Sequence, residues 1–336
     1  MKILRVFREG DVTDTHPALT KELKRRYDYT EVSFSDDMED EERAAVIRNY
    51  DVLLTSWGSP KVPDCLAENP GNLKYLCNIV GGMRGWISET LVNSPYLQVS
   101  NWGDAPGFGI AEGAFALLMT MLKEIPVYIN HAKEGNFGMP QRSRQGTLYG
   151  TNVGIYGVGA IGKRFIDMLR PFGSHIYAFD PFVETMPEGV IRVKSLDELC
   201  NQSQILVIHA PLTDDTRGSI TKEHLASLPD GGIVINTARG AILDQDALLE
   251  ELRSGRLRAG LDVMVPEGQD MPERDDPIRH AENVVFTAHH VGGAPWNDNP
   301  EKLNLAEEIC LRNLEHFHNN EPLEFKMTPE RYKRST

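Results

Sequence analysis

Residues 152–181, NVGIYGVGAIGKRFIDMLRPFGSHIYAFDP, read as four pieces: a strand from Val153 to Tyr156, a turn on Gly157, Gly159 and Gly162, a helix over about Lys163 to Pro171, and a strand from His175 to Phe179 that ends on Asp180. Each piece has a physical cause. Gly157 lets the chain turn sharply off the strand, Gly159 lets the backbone approach a pyrophosphate, and Gly162 lets helix and strand pack closely. The unpaired N–H groups of the helix's first turn then present the positive end of the macrodipole to the phosphates. Asp180 stands 18 residues beyond Gly162, about where an acid accepts both hydroxyls of an adenosine ribose. A carboxylate there repels a 2′-phosphate, so the expected cofactor is NAD rather than NADP. An α/β turn that merely tolerates three glycines is the plainer reading, and it leaves the strand, the helix and the acid around them unexplained.

Outward from this stretch, a chain of 336 residues exceeds what one ordinary core holds, so two domains are expected. The composition, 40% hydrophobic and 25% charged, is that of a soluble globular protein. No apolar run approaches the roughly 20 residues of a membrane helix. The opening MKILRVFREG reads as neither a signal nor a transit peptide. Cys65, Cys77, Cys200 and Cys310 are scattered without CxxC spacing, which points to reduced thiols in a cytoplasm and to no metal site. A net charge of −14 works against binding to nucleic acid. An anionic substrate must then meet locally placed Arg, His or helix N-termini.

Before the glycine turn, residues 1–100 alternate apolar runs (ILRVF, EVSF, DVLLTSW, KYLCNIV, LQVSN) with helices at about Pro17 to Arg26 and Asp40 to Arg48. That is the pattern of a parallel sheet with helices on its faces. Residues 80–85, VGGMRG, close the fourth of these runs. Glycines at a strand's carboxyl end point N–H groups at an anion, while a glycine turn beside a surface Arg84 is the bland alternative. A dense apolar helix over Ala111 to Lys123, interrupted at Pro126, is expected to lie between domains or at a dimer interface, after a hinge near Asn101 to Gly109. Beyond Asp180 come the strands ILVIHA, GGIVINTARG, RAGLDVM and NVVFTAHH, with helices that start after Thr221 and Asp244. A last helix over about Glu301 to His318 returns to the first domain, and residues 322–336 read as extended. The expected class is α/β: two doubly wound parallel-sheet domains, Rossmann-like and flavodoxin-like, with residues 1–100 and 296–336 holding substrate and residues 101–295 holding the nucleotide.

Ligands of open α/β sheets bind outside the carboxyl ends of the strands. Four strands of the second domain end there on His209, Arg239, Asp262 with Glu267, and the pair His289 and His290. These residues suit the joint movement of a hydride and a proton. A guanidinium holds a carboxylate as a forked donor, a His carries the proton, and a Glu on the other ring nitrogen sets its tautomer. Taken singly, each has a plainer alternative: Arg239 a surface ion pair, Glu267 a solvated loop, one of the two histidines packing or a backbone bond, and His209 a structural role at least as readily as a cofactor contact.

With those residues in place the chain resembles the D-isomer-specific, NAD-dependent 2-hydroxyacid dehydrogenases. The matching pieces are GVGAIG with FDP at 179–181, HAPLTDDT at 209–216, INTARGAILDQDAL at 235–248, AGLDVMVPE at 259–267, NVVFTAHHVGG at 283–293, and LKYLCNIVGG with the AE at 111–112. The resemblance implies catalytic roles for Arg239, Glu267 and His290, and an active-site cleft between the two domains. His290 is selected because Val291, Gly292 and Gly293 follow it, whereas counting forward from Asn283 selects His289. Cofactor contacts are implied for Gly157, Gly159, Ala160, Ile161, Gly162, Asp180, Pro181, His209, Ala210, Pro211, Thr216, Thr237, Ala238, Asp262 and Gly292. Substrate contacts are implied for Val80, Gly81, Gly82, Arg239 and His290. By the same resemblance a nicotinamide exchanges hydride with a keto carbon, His290 gives the oxygen its proton, Arg239 holds the carboxylate and Glu267 stabilises the imidazolium. A cytoplasmic homodimer acting on a small 2-keto or 2-hydroxy acid is the expected assembly.

The chain departs from the family pattern at three places. Met83, Arg84 and Gly85 replace an expected Asp, Ala288 replaces a Pro, and Phe137 replaces a Trp. Arg84 is therefore expected to meet a second anionic group on the substrate, with Trp86, Trp102 and Trp296 shaping the pocket. Two other readings stand beside this one: an NAD-sensing corepressor or scaffold of the same fold, which has no need of Arg239, Glu267 and His290, and a dehydrogenase of the phosphite-oxidising kind.

Overall fold

The short β-branched runs form strands whose alternate residues face opposite sides of a sheet, and the amphipathic stretches between them cover both sides. The computed structural model describes residues 1–10, 16–105, 107–140, 143–266, 272–292, 299 and 301–334. It divides into two units, residues 1–106 with 294–336, and residues 107–293.

In the first unit β1 (Lys2–Arg8), α1 (Pro17–Arg26), β2 (Asp28–Phe34), α2 (Asp40–Ile47), β3 (Val52–Thr55), β4 (Tyr75–Asn78), α3 (Glu89–Val92) and β5 (Gln98–Ser100) build a five-stranded sheet. Its order is β2-β1-β3-β4-β5, parallel throughout. Leu4, Val6, Leu53, Leu76 and Val99 face one core with α2 and α3. Ile3, Val52, Leu54, Tyr75 and Cys77 face the other, with α1 and residues Cys310, Leu311 and Leu314.

The second unit contains α4 (Gly107–Leu122), α5 (Ile125–Lys133), β6 (Asn152–Tyr156), α6 (Ala160–Leu169), β7 (His175–Phe179), β8 (Val190–Arg192), α7 (Leu196–Gln202), β9 (Ile205–Ile208), α8 (Lys222–Ser227), β10 (Ile233–Asn236), α9 (Gln245–Arg253), β11 (Arg258–Leu261) and β12 (Val284–Phe286). The sheet order is β12-β11-β10-β9-β6-β7-β8, again parallel. Val153, Ile155, Val207 and Ile235 pack under α4 and α6, while Leu206, Ile208, Val234 and Ala259 pack under α7, α8 and α9. The strand order reverses between β6 and β9, which opens the crevice where ligands of such sheets bind. The helices α10 (Leu305–His318) and α11 (Pro329–Lys333) belong to the first unit.

Several sequence expectations need correction. Helix α6 begins at Ala160, three residues ahead of Lys163, because Gly159 itself serves as N-cap. Helix α10 begins at Leu305 rather than Glu301: Asn304 and Glu307 form a capping box that outcompetes the start after Pro300. The apolar helix α4 buries Ala114, Leu117, Leu118 and Met121 against the second unit's own sheet, so its composition needs no partner domain or subunit. Strand β8 was not expected, since its short run VIR has no alternation to reveal it. Residues 322–336 are not simply extended. Met327 donates its N–H to the carbonyl of Val99 at 2.7 Å, α11 follows, and the hydroxyl of its buried Tyr332 donates to the carbonyl of Ile87 at 2.8 Å.

Candidate functional site

Gly157 leaves β6 with φ +95°, and a side chain there would strike the backbone of Ala210. Over the next turn the chain is open: a Cβ built on Gly159 meets nothing. The N–H groups of Ala160, Ile161 and Gly162 start α6 and have no intrahelical acceptor. At the end of β7 the carboxylate of Asp180 accepts from the N–H of Val158 at 2.8 Å and from that of Phe182 at 2.9 Å, which ties the acid to the glycine turn across Pro181.

His209 lies beside this turn, at the carboxyl end of β9. Its N–H donates to the carbonyl of Tyr156 at 2.8 Å and its ring packs on Phe165 at 5.1 Å. Burial pushes the imidazole down to about 3, so it is neutral, and neither ring nitrogen has a partner among the described residues. The hydroxyl of Thr237, past the neighbouring strand β10, has none either. Orphaned polar atoms at adjacent strand ends are groups that a polar ligand along this edge would satisfy. Together with the open space at Gly159 and the placed Asp180, they fit a dinucleotide. The segment from Ala210 and Pro211 is closed by the Thr216 hydroxyl, which donates to the carbonyl of Pro211 at 2.6 Å.

Arg239 is carried on a clamped turn. Asn236, fully buried at the end of β10, donates to the carbonyl of Arg239 at 3.0 Å and accepts from the N–H of Ala238 at 3.0 Å. The Arg239 guanidinium donates through Nη1 to the carbonyl of Ala238 at 2.7 Å. One strand further on, Asp262 organises the histidine turn. Its Oδ1 accepts from the Thr287 hydroxyl at 2.6 Å and from the N–H groups of His290 and Val291, both at 3.0 Å. Its carbonyl accepts from the N–H of His289 at 2.6 Å. Ala288 and His289 take φ +50° and +61° to complete the turn, which runs on to Gly292. His290 donates through Nδ1 to the carbonyl of Ala288, which leaves Nε2 as the nitrogen able to exchange a proton. Glu267 and Trp296 lie outside the described residues. The segment before Glu267 is held by Gln245, whose amide brackets Val265 with bonds of 2.8 and 2.7 Å.

In the first unit, the loop after β4 is shaped by two asparagines. Asn78 donates to the carbonyls of Val80 at 2.6 Å and Gly82 at 3.2 Å, and Asn101 donates to that of Gly81 at 3.1 Å. In a trans peptide the N–H opposes the carbonyl, so this pinning turns the N–H groups of Gly81, Gly82 and Met83 the other way. They find no acceptor among the described residues, which leaves three donors open to a ligand. Asn78 is itself fixed by the Thr55 hydroxyl at 2.9 Å and the Trp86 indole at 3.0 Å. Arg84 is occupied elsewhere: Nη2 donates to the carbonyls of Tyr332 at 3.0 Å and Lys333 at 2.8 Å, at the end of α11.

Asn78, Asn101, Asn236 and Gln245 were not singled out from sequence. The first and third had a readable signal, because an amide inside the apolar runs YLCN and IVIN is costly unless it is bonded. Among the described residues no group of three or more His, Cys, Asp or Glu is placed to hold a metal, and no helix is long and apolar enough to cross a membrane.

Residues 115–291 match the model of the D-isomer specific 2-hydroxyacid dehydrogenase NAD binding domain. The D-3-phosphoglycerate dehydrogenase of Methanocaldococcus jannaschii is 30% identical over 301 residues, 88% of this chain and 56% of that protein. The hydroxypyruvate reductase of Thermotoga maritima is 32% identical over 282 residues, 82% of this chain and 89% of that protein. The chain spans about half the length of the phosphoglycerate dehydrogenases it matches. In fold it is similar to the D-lactate dehydrogenase of Lactobacillus jensenii solved with NAD+, with a TM-score of 0.74 at 22% identity, covering 97% of this chain and 99% of that one. By both the domain match and these relatives, the chain belongs to the D-isomer-specific 2-hydroxyacid dehydrogenase family.

Proposed function

We propose that this chain is an NAD(H)-dependent oxidoreductase that interconverts a 2-keto acid and a D-2-hydroxy acid. The observation that carries the reading is the histidine turn. Asp262 clamps it, Nδ1 of His290 is committed to a carbonyl, and Nε2 has no partner among the described residues, at the same end of the sheet as Arg239 and the nucleotide crevice. A dinucleotide held at Gly157–Gly162 and Asp180 supplies the hydride in reduction and takes it in oxidation. Arg239 pairs with the carboxylate and polarises the keto oxygen, and protonated His290 delivers a proton to that oxygen from Nε2. With Nδ1 on the Ala288 carbonyl, Glu267 is assigned a nearby charge that steadies the imidazolium rather than the bond to the second ring nitrogen.

Within the unit of residues 1–106 and 294–336, the loop at Val80 to Gly82 is our candidate for a carboxylate contact. The names of the relatives, a phosphoglycerate dehydrogenase and a hydroxypyruvate reductase, support 2-hydroxy acid chemistry. Asp180 favours NAD over NADP by repelling a 2′-phosphate. A homodimer is supported by exposed Ile125, Ile129, Phe137 and Met139 on α5 and the segment after it. A cytoplasmic location agrees with four unpaired thiols. An anion contact from Arg84 would require the guanidinium to give up its bonds to the carbonyls of Tyr332 and Lys333, so it is the weaker proposal, and unchanged kinetics of Arg84→Ala on every 2-keto acid would remove it.

The test is NADH oxidation by the purified protein on glyoxylate, hydroxypyruvate, pyruvate, phenylpyruvate, 2-ketoglutarate, oxaloacetate and phosphohydroxypyruvate, with His290→Asn and His289→Asn alongside. The expected result is turnover of at least one acid, a kcat lowered about 10²- to 10⁴-fold in His290→Asn, and a much smaller loss in His289→Asn. Tight NADH binding with no turnover anywhere would replace the enzyme by the sensor of the same fold.

A further inference from the structure

We propose that the acid held by the first unit carries an aromatic or similarly large apolar side chain, and that Trp57 and Trp102 are the residues that select it. This rests on the 2-keto acid reading above. Strands β3, β4 and β5 lie side by side, so the chain leaves the sheet three times along one edge. Trp57 stands two residues past the end of β3, the loop at Val80 to Gly82 follows β4, and Trp102 stands two residues past the end of β5. Both tryptophans thus follow strands that border β4. The two rings meet edge to face, 5.3 Å apart at 84°.

Trp102 lies directly on that loop, since a Cβ on Gly81 would overlap its indole. The chain of any acid whose carboxylate sits on those N–H groups thus starts beside an aromatic ring. Trp57 is 63% exposed although its turn is rigidly built. The N–H of Ser56 donates to the Ser59 hydroxyl at 2.9 Å, and that hydroxyl donates to the carbonyl of Val6 at 3.0 Å. The turn also stands where the strand order of this sheet reverses, between β1 and β3, the place where open α/β sheets bind ligands. Trp57 thus offers an exposed ring on a fixed support, and a third ring would extend the edge-to-face arrangement of the pair.

The described cations near this edge have partners of their own, Arg331 donating to Asn101 Oδ1 at 3.4 Å. Arg84 is engaged by Tyr332 and Lys333, and Arg8 ends β1, on the far side of Trp57 from the loop.

Two arms test the proposal on the full chain. In the first, kcat/KM is measured for phenylpyruvate and 4-methyl-2-oxopentanoate against glyoxylate and phosphohydroxypyruvate, in the wild type, Trp57→Ala, Trp57→Phe and Trp102→Leu. In the second, calorimetry with NADH present compares 3-phenylpropanoate with propanoate, which need no turnover. The expected result is a preference of about tenfold or more for the large apolar acids, lost in Trp57→Ala and retained in Trp57→Phe. A preference for glyoxylate or phosphohydroxypyruvate that Trp57→Ala leaves unchanged overturns the proposal. If no keto acid turns over but 3-phenylpropanoate binds more tightly than propanoate through Trp57, the oxidoreductase reading falls and the aromatic selection stands. Without turnover and without that difference, both fall. Trp57 is exposed, so its variants fold even where Trp102→Leu does not.

Discussion

After β6 the backbone N–H groups are open because a helix begins there; after β4 they are open because two asparagines hold the carbonyls. Both loops use glycine at the carboxyl end of a parallel strand, and both offer donors to an anion. Their supports differ in range. The turn at 157–162 is self-sufficient: strand, turn and helix lie within one short stretch, and the donors are those every helix leaves unpaired. The loop at 80–82 draws its shape from Asn78, two residues before it, and from Asn101, 20 residues beyond Gly81. A local motif can thus be replaced by a few distant amides, provided that those amides are buried and themselves bonded.

The comparison is broken most severely at Gly157. Ala at this position combines a left-handed φ, worth about 1–2 kcal/mol for a residue with a Cβ, with a clash against the backbone of Ala210. We expect Gly157→Ala to lower stability by about 2–4 kcal/mol and NADH affinity at least tenfold, read by thermal unfolding and fluorescence titration. Unchanged NADH affinity would mean that the turn does not hold the cofactor.

A smaller effect is expected on the other side. Asn78→Ala frees the carbonyls of Val80 and Gly82 and orphans the Thr55 hydroxyl and the Trp86 indole. The expected cost is about 1–3 kcal/mol in stability, with the keto-acid KM raised about tenfold and the NADH affinity within twofold of wild type. Equal losses for both ligands would show that the two loops are not independent supports.

The smallest effect separates the loops by pH. The amides under residues 80–82 do not titrate, whereas the 157–162 turn rests beside His209, held neutral by burial at about 3. An unfolded His binds a proton near 6.5, so the unfolded chain takes up more protons than the folded one between about pH 6.5 and pH 3. Stability from this group is fully present above pH 6.5 and declines as pH falls through that window, by at most about 2 kcal/mol between pH 6.5 and pH 5. Denaturant midpoints across this range, compared with His209→Gln, should show a shallower slope in the variant. Identical slopes would place the acid sensitivity elsewhere.

Periodicity and local punctuation were readable from the residues alone. The strand His175–Phe179 and the helix Pro17–Arg26 lie where apolar alternation and a leading proline put them, because those signals act within a few residues. The positions of Gly157, Asp180, Arg239, Asp262, His289 and His290 past the carboxyl ends of parallel strands were equally readable, since each follows an apolar run of strand length. Tertiary structure decided the remainder. Only the parallel order of β3, β4 and β5 sets two tryptophans 45 residues apart in sequence edge to face across one loop. Only the folded turn reveals that Asp262 spends its carboxylate on the backbone of His290 and Val291, and that Arg84, exposed in sequence terms, is bound to the helix α11. The division has a physical cause. Backbone preference and hydrophobic period are short-range properties of the chain, whereas the partners of a buried polar group are chosen by whichever distant segment the packed core brings within about 3 Å.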